Sequence, residues 1–176
     1  MNYILIGIPT AGKSTVGVVL AKMLGYDYLD TDLLIQKKQG RRLEDTINAI
    51  GQEAFLDLEG DVCAGLMPEK TIIATGGSVI YRTHAMEHLK SIGTVIYLKI
   101  GLETLLERLH DAQSRGVVLK EGQTLQELYN ERIALYEKYA DIVVDEGNLS
   151  FEEVLKAVTA AIQQAGDAQY KRDPMK

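Results

Sequence analysis

Tryptophan is absent from this chain of 176 residues, which holds only one cysteine, two phenylalanines and three prolines. A lone cysteine, Cys63, cannot close an internal disulfide, so nothing here is stapled for an oxidising compartment and a cytoplasmic setting is expected. Cys63 falls in a stretch of helical period, where a free thiol behaves as a small core hydrophobe. No apolar run reaches the roughly 18 residues that a membrane helix needs. The run from Tyr3 to Ile8 gives way to a glycine loop instead of lengthening into a signal sequence. Nor is there a block of like charges before the last few residues, and the formal net charge is -6. That balance argues against a surface built for nucleic acid or anionic lipid and confines any cationic pocket to a local cluster.

What is present is the composition of an ordinary folded domain, 46% hydrophobic and 25% charged, at a length that suits one domain. Short runs rich in Ile and Val alternate with longer stretches of helical period, the pattern of a parallel sheet covered by helices. Strands are expected at Tyr3 to Gly7, Tyr26 to Leu29, Thr71 to Thr75, Thr94 to Lys99 and Asp141 to Val144. Helices are expected at Lys13 to Leu24, Leu43 to Ile50, Glu53 to Met67, Leu102 to His110, Thr124 to Tyr139 and Ser150 to Gln164. Ser150 followed by Glu153 reads as a capping box. Residues 111–122 read as an exposed loop of lid length, residues 1–166 as the single domain, and residues 167–176 as a polar, disordered tail.

Gly7-Ile8-Pro9-Thr10-Ala11-Gly12-Lys13-Ser14 matches G-x-x-x-x-G-K-[ST] and lies directly after the first strand, at the start of a helix. Main-chain N–H groups of Pro9's neighbours Thr10 and Ala11, of Gly12, and of the helix start through Thr15 are expected to surround the phosphates of ATP, where the helix dipole favours an anion. Lys13 would bridge the β- and γ-phosphates, and the Ser14 hydroxyl would ligate Mg²⁺. The spacing of Asp30 and Asp32, one residue apart in a segment read as extended, makes both point the same way, towards the crevice at the strand ends. No acid terminates the strand at Thr75, so Asp30 is the leading carboxylate to support the metal and Asp32 the one to accept or orient a substrate hydroxyl. Capping of a following helix is the competing role for either acid.

With these elements in this order, the chain resembles the shikimate kinases, a nucleoside-monophosphate-kinase-like group. The matching pieces, over roughly residues 1 to 162, are the phosphate loop, Tyr28-Leu29-Asp30-Thr31-Asp32, Gly51-Gln52-Glu53-Ala54-Phe55, Ala74-Thr75-Gly76-Gly77, Glu107-Arg108-Leu109, Ser114-Arg115 and Glu131-Arg132-Ile133-Ala134-Leu135-Tyr136-Glu137. The resemblance implies a three-layer α/β fold with a five-stranded parallel sheet in the order 2-3-1-4-5, and a small helical substrate-binding region over about 31–62. It implies transfer of the γ-phosphoryl group of ATP to a hydroxyl of shikimate, with Asp32 as base, Asp30 binding Mg²⁺ through water, and Gly76, Gly77 and Ser78 against the substrate. Arg108 would stack on adenine, Arg115 in the lid would neutralise charge on the transferring group, and Arg132 would grip the substrate carboxylate. A monomer acting on two small molecules is expected.

Five departures stand out. Leu56 replaces an arginine that shares the carboxylate in the family pattern, and Arg41, Arg42 and Arg82 are candidates to replace its charge. Thr10 replaces a loop glycine, a change tolerable with a negative φ. Ser78 replaces a third glycine, and Gly116-Val117-Val118 and Ala134 stand where proline is usual. Leu56 opens a second possibility, a kinase of the same build acting on another polyol or hydroxy acid such as gluconate. A nucleotide-binding module without catalysis is a third, opposed by retention of the whole charge constellation. A regulatory GTPase is opposed by the lack of an N-K-x-D element.

Overall fold

Five apolar runs form one parallel sheet in the order β2-β3-β1-β4-β5, as expected. The strands are β1 (Asn2–Ile6), β2 (Asp27–Asp30), β3 (Thr71–Ala74), β4 (Gly93–Lys99) and β5 (Ile142–Asp145). The computed structural model describes residues 1–111 and 122–172, with side chains over 1–109 and 122–166. Central β1 is buried along its whole length, which is why it reads as a continuous hydrophobic run instead of an alternation: helices cover both faces of a parallel sheet. Leu5 stands opposite Ala74 on one side and Ile96 on the other. At the edge, β5 alternates, with Val144 buried and Val143 half exposed.

Among the described residues the helices are α1 (Lys13–Leu24), α2 (Thr31–Gln39), α3 (Leu43–Ile50), α4 (Gln52–Ala64), α5 (Thr83–Ile92), α6 (Leu102–Asp111), α7 (Leu125–Tyr139) and α8 (Phe151–Arg172). Glu153 Oε2 accepts from the Ser150 amide at 2.8 Å, and the reciprocal amide-to-hydroxyl bond completes the expected box at the start of α8. That helix continues to Arg172, so the chain does not lose regular structure at Gly166 as its polarity suggested. Two helices, α2 and α5, went unrecognised. α2 buries fully only Thr31 and Ile35, and α5 only Ala85, Met86 and Leu89.

The main core lies on both faces of the sheet, where Ile4, Leu5, Ile72, Ile73, Val95 and Ile96 are wholly buried. A satellite of Ile35, Phe55 and Val62 holds α2 and α4 together beyond the C-terminal ends of β2 and β3. This smaller cluster carries the region expected to bind substrate. Cys63 is buried in the main core.

Candidate active site

β1 delivers the chain into the phosphate loop, and α1 begins at Lys13 with no acid in its first turn and no side-chain cap on its N-terminus. Such a helix end is complementary to an anion. The Lys13 ammonium is buried and donates to the carbonyls of Gly7 at 2.7 Å and Ile8 at 3.0 Å. Burial pulls its pKa down to about 8, against the attraction of Asp32. Thr10 does not keep a negative φ. It sits at φ 71, a left-handed conformation costing a β-branched residue about 1–2 kcal/mol. Its buried hydroxyl has no partner among the described residues, while its carbonyl accepts from Arg108 Nη1 at 2.9 Å.

The two aspartates do not point the same way, because β2 ends at Asp30 and Thr31 already begins α2. Asp30 takes the capping role and also reaches the phosphate loop. Its Oδ1 accepts from the amides of Asp32 at 3.0 Å and Leu33 at 3.3 Å, capping α2, and its Oδ2 accepts from the Ser14 hydroxyl at 2.8 Å and the Tyr28 hydroxyl at 3.0 Å. Asp32 instead faces the turn after β3, where a Cβ on Gly76 would stand 2.9 Å from its Oδ1. Burial raises the Asp32 pKa and Asp30 raises it further, with Lys13 opposing. No cluster of three or more acids, histidines or cysteines that could hold a metal occurs among the described residues. Ser14 and Asp30 offer two hard oxygen donors beside the loop, a set that fits Mg²⁺, which keeps waters and takes one or two carboxylates plus phosphate.

The turn Thr75 to Ser78 joins the two halves of the site. The Gly76 amide donates to the buried Thr31 hydroxyl at 3.1 Å. A Cβ on Gly76 would come within 1.9 Å of Glu59 Oε1, and one on Gly77 within 2.7 Å of Pro9 Cδ, so side chains there would drive the turn off α4 and off the phosphate loop. Loop and acceptor turn therefore touch, with Asp32 beside them.

Glu59 is a site residue that sequence reasoning missed. It is 1% exposed, accepts from the Ser78 hydroxyl at 2.6 Å, and has its pKa pushed up to about 7 by burial, with that hydrogen bond opposing. A signal existed: Glu59 shares the buried face of α4 with Phe55, Val62 and Cys63, and an acid on such a face needs a reason. On α7, Arg132 is 3% exposed, its Nε donates to the Tyr81 hydroxyl at 3.4 Å, its guanidinium lies over the Tyr81 ring, and its buried Nη1 has no partner among the described residues. One turn on, the Tyr136 hydroxyl donates to the Gly77 carbonyl at 2.6 Å. A cavity of about 240 Å³ opens here, lined among others by Phe55, Leu56, Ser78, Tyr81, Arg82 and Arg132.

On the other side of the loop, a cavity of about 190 Å³ is lined by Gly12, Thr15, Val16, Arg108 and the half-exposed Leu149 and Phe151, with Glu146. Both terminal nitrogens of Arg108 donate to Glu146 Oε2 at 3.2 Å, which holds the guanidinium plane next to the loop. Arg115, and the expected lid apart from its two ends, lie outside the described residues. No helix among the described residues is long and apolar enough to cross a membrane.

The family model for shikimate kinase matches residues 9–163. The chain is similar to the shikimate kinase of Thermodesulfovibrio yellowstonii, at 34% identity over 160 residues, covering 89% of this chain and 92% of that protein. Among solved structures it is similar to shikimate kinase from Acinetobacter baumannii in complex with shikimate, with a TM-score of 0.85, 29% identity and 93% of each chain covered. It is also similar to shikimate kinase from Aquifex aeolicus, with a TM-score of 0.81, 32% identity, and 94% of this chain and 98% of that one covered.

Proposed function

The chain belongs to the shikimate kinase family of ATP-dependent phosphotransferases acting on a hydroxyl, and we propose that its acceptor is shikimate. The observation that carries this is the close approach of Gly77 to Pro9, which brings up to the phosphate-binding loop the turn leading to Ser78, itself on the wall of a cavity that holds the buried guanidinium of Arg132. An anion bound at Arg132 satisfies the donor left open at Nη1, and a carboxylate matches the guanidinium fork. The rest of a ring-sized acceptor then lies along Ser78 and the Gly76-Gly77 turn, with its reacting hydroxyl at Asp32.

In this reading Lys13 leaves the Gly7 and Ile8 carbonyls for the β- and γ-phosphates, and the amides from Thr10 to Thr15 hold the β-phosphate. Asp32 lines up the hydroxyl and takes its proton as the oxygen attacks phosphorus, and the bond to the ADP oxygen breaks in line. Its raised pKa suits a carboxylate that must hold a proton for a moment. Ser14 and Asp30 would hold Mg²⁺, which when bound supplies positive charge to the phosphate oxygens. Arg108 would stack on adenine, and Arg115 would add a further cation. A cytoplasmic monomer belongs to the same reading.

The test is ADP release with Mg²⁺ over shikimate, quinate, gluconate and simple polyols. Shikimate is expected to give the highest kcat/KM. Turnover of gluconate or a polyol at an equal or higher kcat/KM would refute the assigned acceptor.

A further inference from the structure

Leu56 presents an apolar wall to the acceptor cavity where the resemblance calls for an arginine. A single guanidinium facing a carboxylate in a partly enclosed site is a weak grip, since a charge taken out of water needs its hydrogen-bonding capacity filled. Of the three arginines offered by the sequence, Arg41 and Arg42 are exposed ahead of α3 and do not line the cavity. Arg82 does line it, from the connection between β3 and α5.

Its placement is built. The Arg82 stem crosses α4 at Gly60, where a Cβ would lie 2.9 Å from both Cβ and Cγ of the arginine. Beyond that crossing, Nε donates to Asp57 Oδ1 at 2.7 Å, and Nη2 donates to Glu53 Oε2 at 3.0 Å and to the Glu53 carbonyl at 3.3 Å. Glu53 and Asp57 flank Leu56 on α4, so the guanidinium is held against the segment of helix that lacks the arginine. Both carboxylates are mostly exposed, at 79% and 65%, so water screens their pull while their geometry still sets the direction of the fork. These bonds leave Nη1 for another acceptor.

We propose that Arg82 supplies the second cation that grips the acceptor's carboxylate, standing in from the β3–α5 connection for the arginine missing at position 56. This rests on the acceptor reading above. It makes carboxylate recognition in this chain a property of two elements, α7 through Arg132 and the start of α5 through Arg82.

The test compares wild type with Arg82→Gln, which keeps the stem over Gly60, on shikimate and on its uncharged methyl ester. The expected result is a rise in the KM for shikimate of roughly tenfold or more, with the KM for ATP and the thermal midpoint little changed, and no comparable change on the ester. The double variant Leu56→Arg with Arg82→Gln is expected to recover most of the shikimate KM, a rescue that a merely structural Arg82 would not allow. An Arg82→Gln enzyme within twofold of wild type on shikimate overturns the assignment, as does an equal loss on acid and ester or a failure of the rescue. Wild-type inactivity on shikimate, by contrast, removes the acceptor itself and this role with it.

Discussion

The phosphate side of the site and the acceptor side are held in different ways. The loop between β1 and α1 grows out of the main core, and its chemistry belongs to consecutive residues and largely to the main chain. The acceptor cavity is assembled from α3, α4, the turn after β3, the start of α5 and α7, and α4 is anchored behind it by Ile35, Phe55 and Val62. Main-chain donors are indifferent to side-chain substitution, whereas a carboxylate grip made of side chains can migrate between elements that face the same space. A loop of fixed spacing therefore coexists here with a cavity whose second cation, on the proposed reading, comes from Arg82 and not from position 56.

The contrast can be broken most severely at the boundary. Asp32→Asn is expected to lower kcat about 10²–10⁴-fold with the KM for ATP nearly unchanged, measured by steady-state ADP release. A variant within a few-fold of wild type would deprive Asp32 of its role as base. Lys13→Ala tests the phosphate side, with an expected fall in kcat of about 10²–10³-fold and weakened binding of Mg²⁺ and ATP in a calorimetric titration. Arg132→Gln tests the acceptor side alone. It is expected to raise the shikimate KM by about 30-fold, equivalent to about 2 kcal/mol, without altering ATP affinity.

Two smaller effects separate the halves through stability. Glu59 holds its proton more tightly in the folded chain than in the unfolded one, so the folded state binds more protons between its ordinary pKa of 4.5 and about 7. The free energy of unfolding is therefore expected to fall as pH rises through that window and to level off above it. Asp32 adds a slope of the same sign, while Lys13, lowered to about 8, acts above the window. Urea midpoints measured from pH 5 to pH 8 should show a shallower decline in Glu59→Gln than in wild type, and an unchanged slope would contradict the buried acid. On the phosphate side, Thr10→Gly relieves a left-handed threonine and is expected to stabilise by about 1 kcal/mol, less the entropy that glycine loses on folding. A drop in the thermal midpoint would show that the threonine methyl or hydroxyl has a packing role outweighing the strain.

These halves also differ in how far the sequence discloses them. The place of the loop was legible, because its motif, the strand before it and the helix after it are all local, though the strand lies one residue earlier than expected and Thr10 takes a positive φ. α1 and α3 begin and end where their periodicity puts them. Strand order came from resemblance and not from pattern, since hydrophobic runs carry no information about which neighbours they choose. Asp30 and Asp32 were found but read as extended neighbours, whereas the cap on α2 turns them apart, one to Ser14 and one to Gly76. Glu59, Tyr81 and Tyr136 act through contacts with partners 19, 51 and 59 residues away, and no spacing rule reaches that far. Arg82 could be named only as one of three cations until its path over Gly60 set it apart.

The bond from the Tyr136 hydroxyl to the Gly77 carbonyl has a metrical consequence. Arg132 stands one turn from Tyr136 on the same helix, and Gly77 leans on Pro9, so the span from guanidinium to phosphate cradle is a fixed gauge. On the proposed reading, acceptors are sorted by the length between their acid group and their reactive oxygen. A longer chain cannot be admitted by widening the cavity alone; the helix bearing the tyrosine has to slide outward together with the glycine pair.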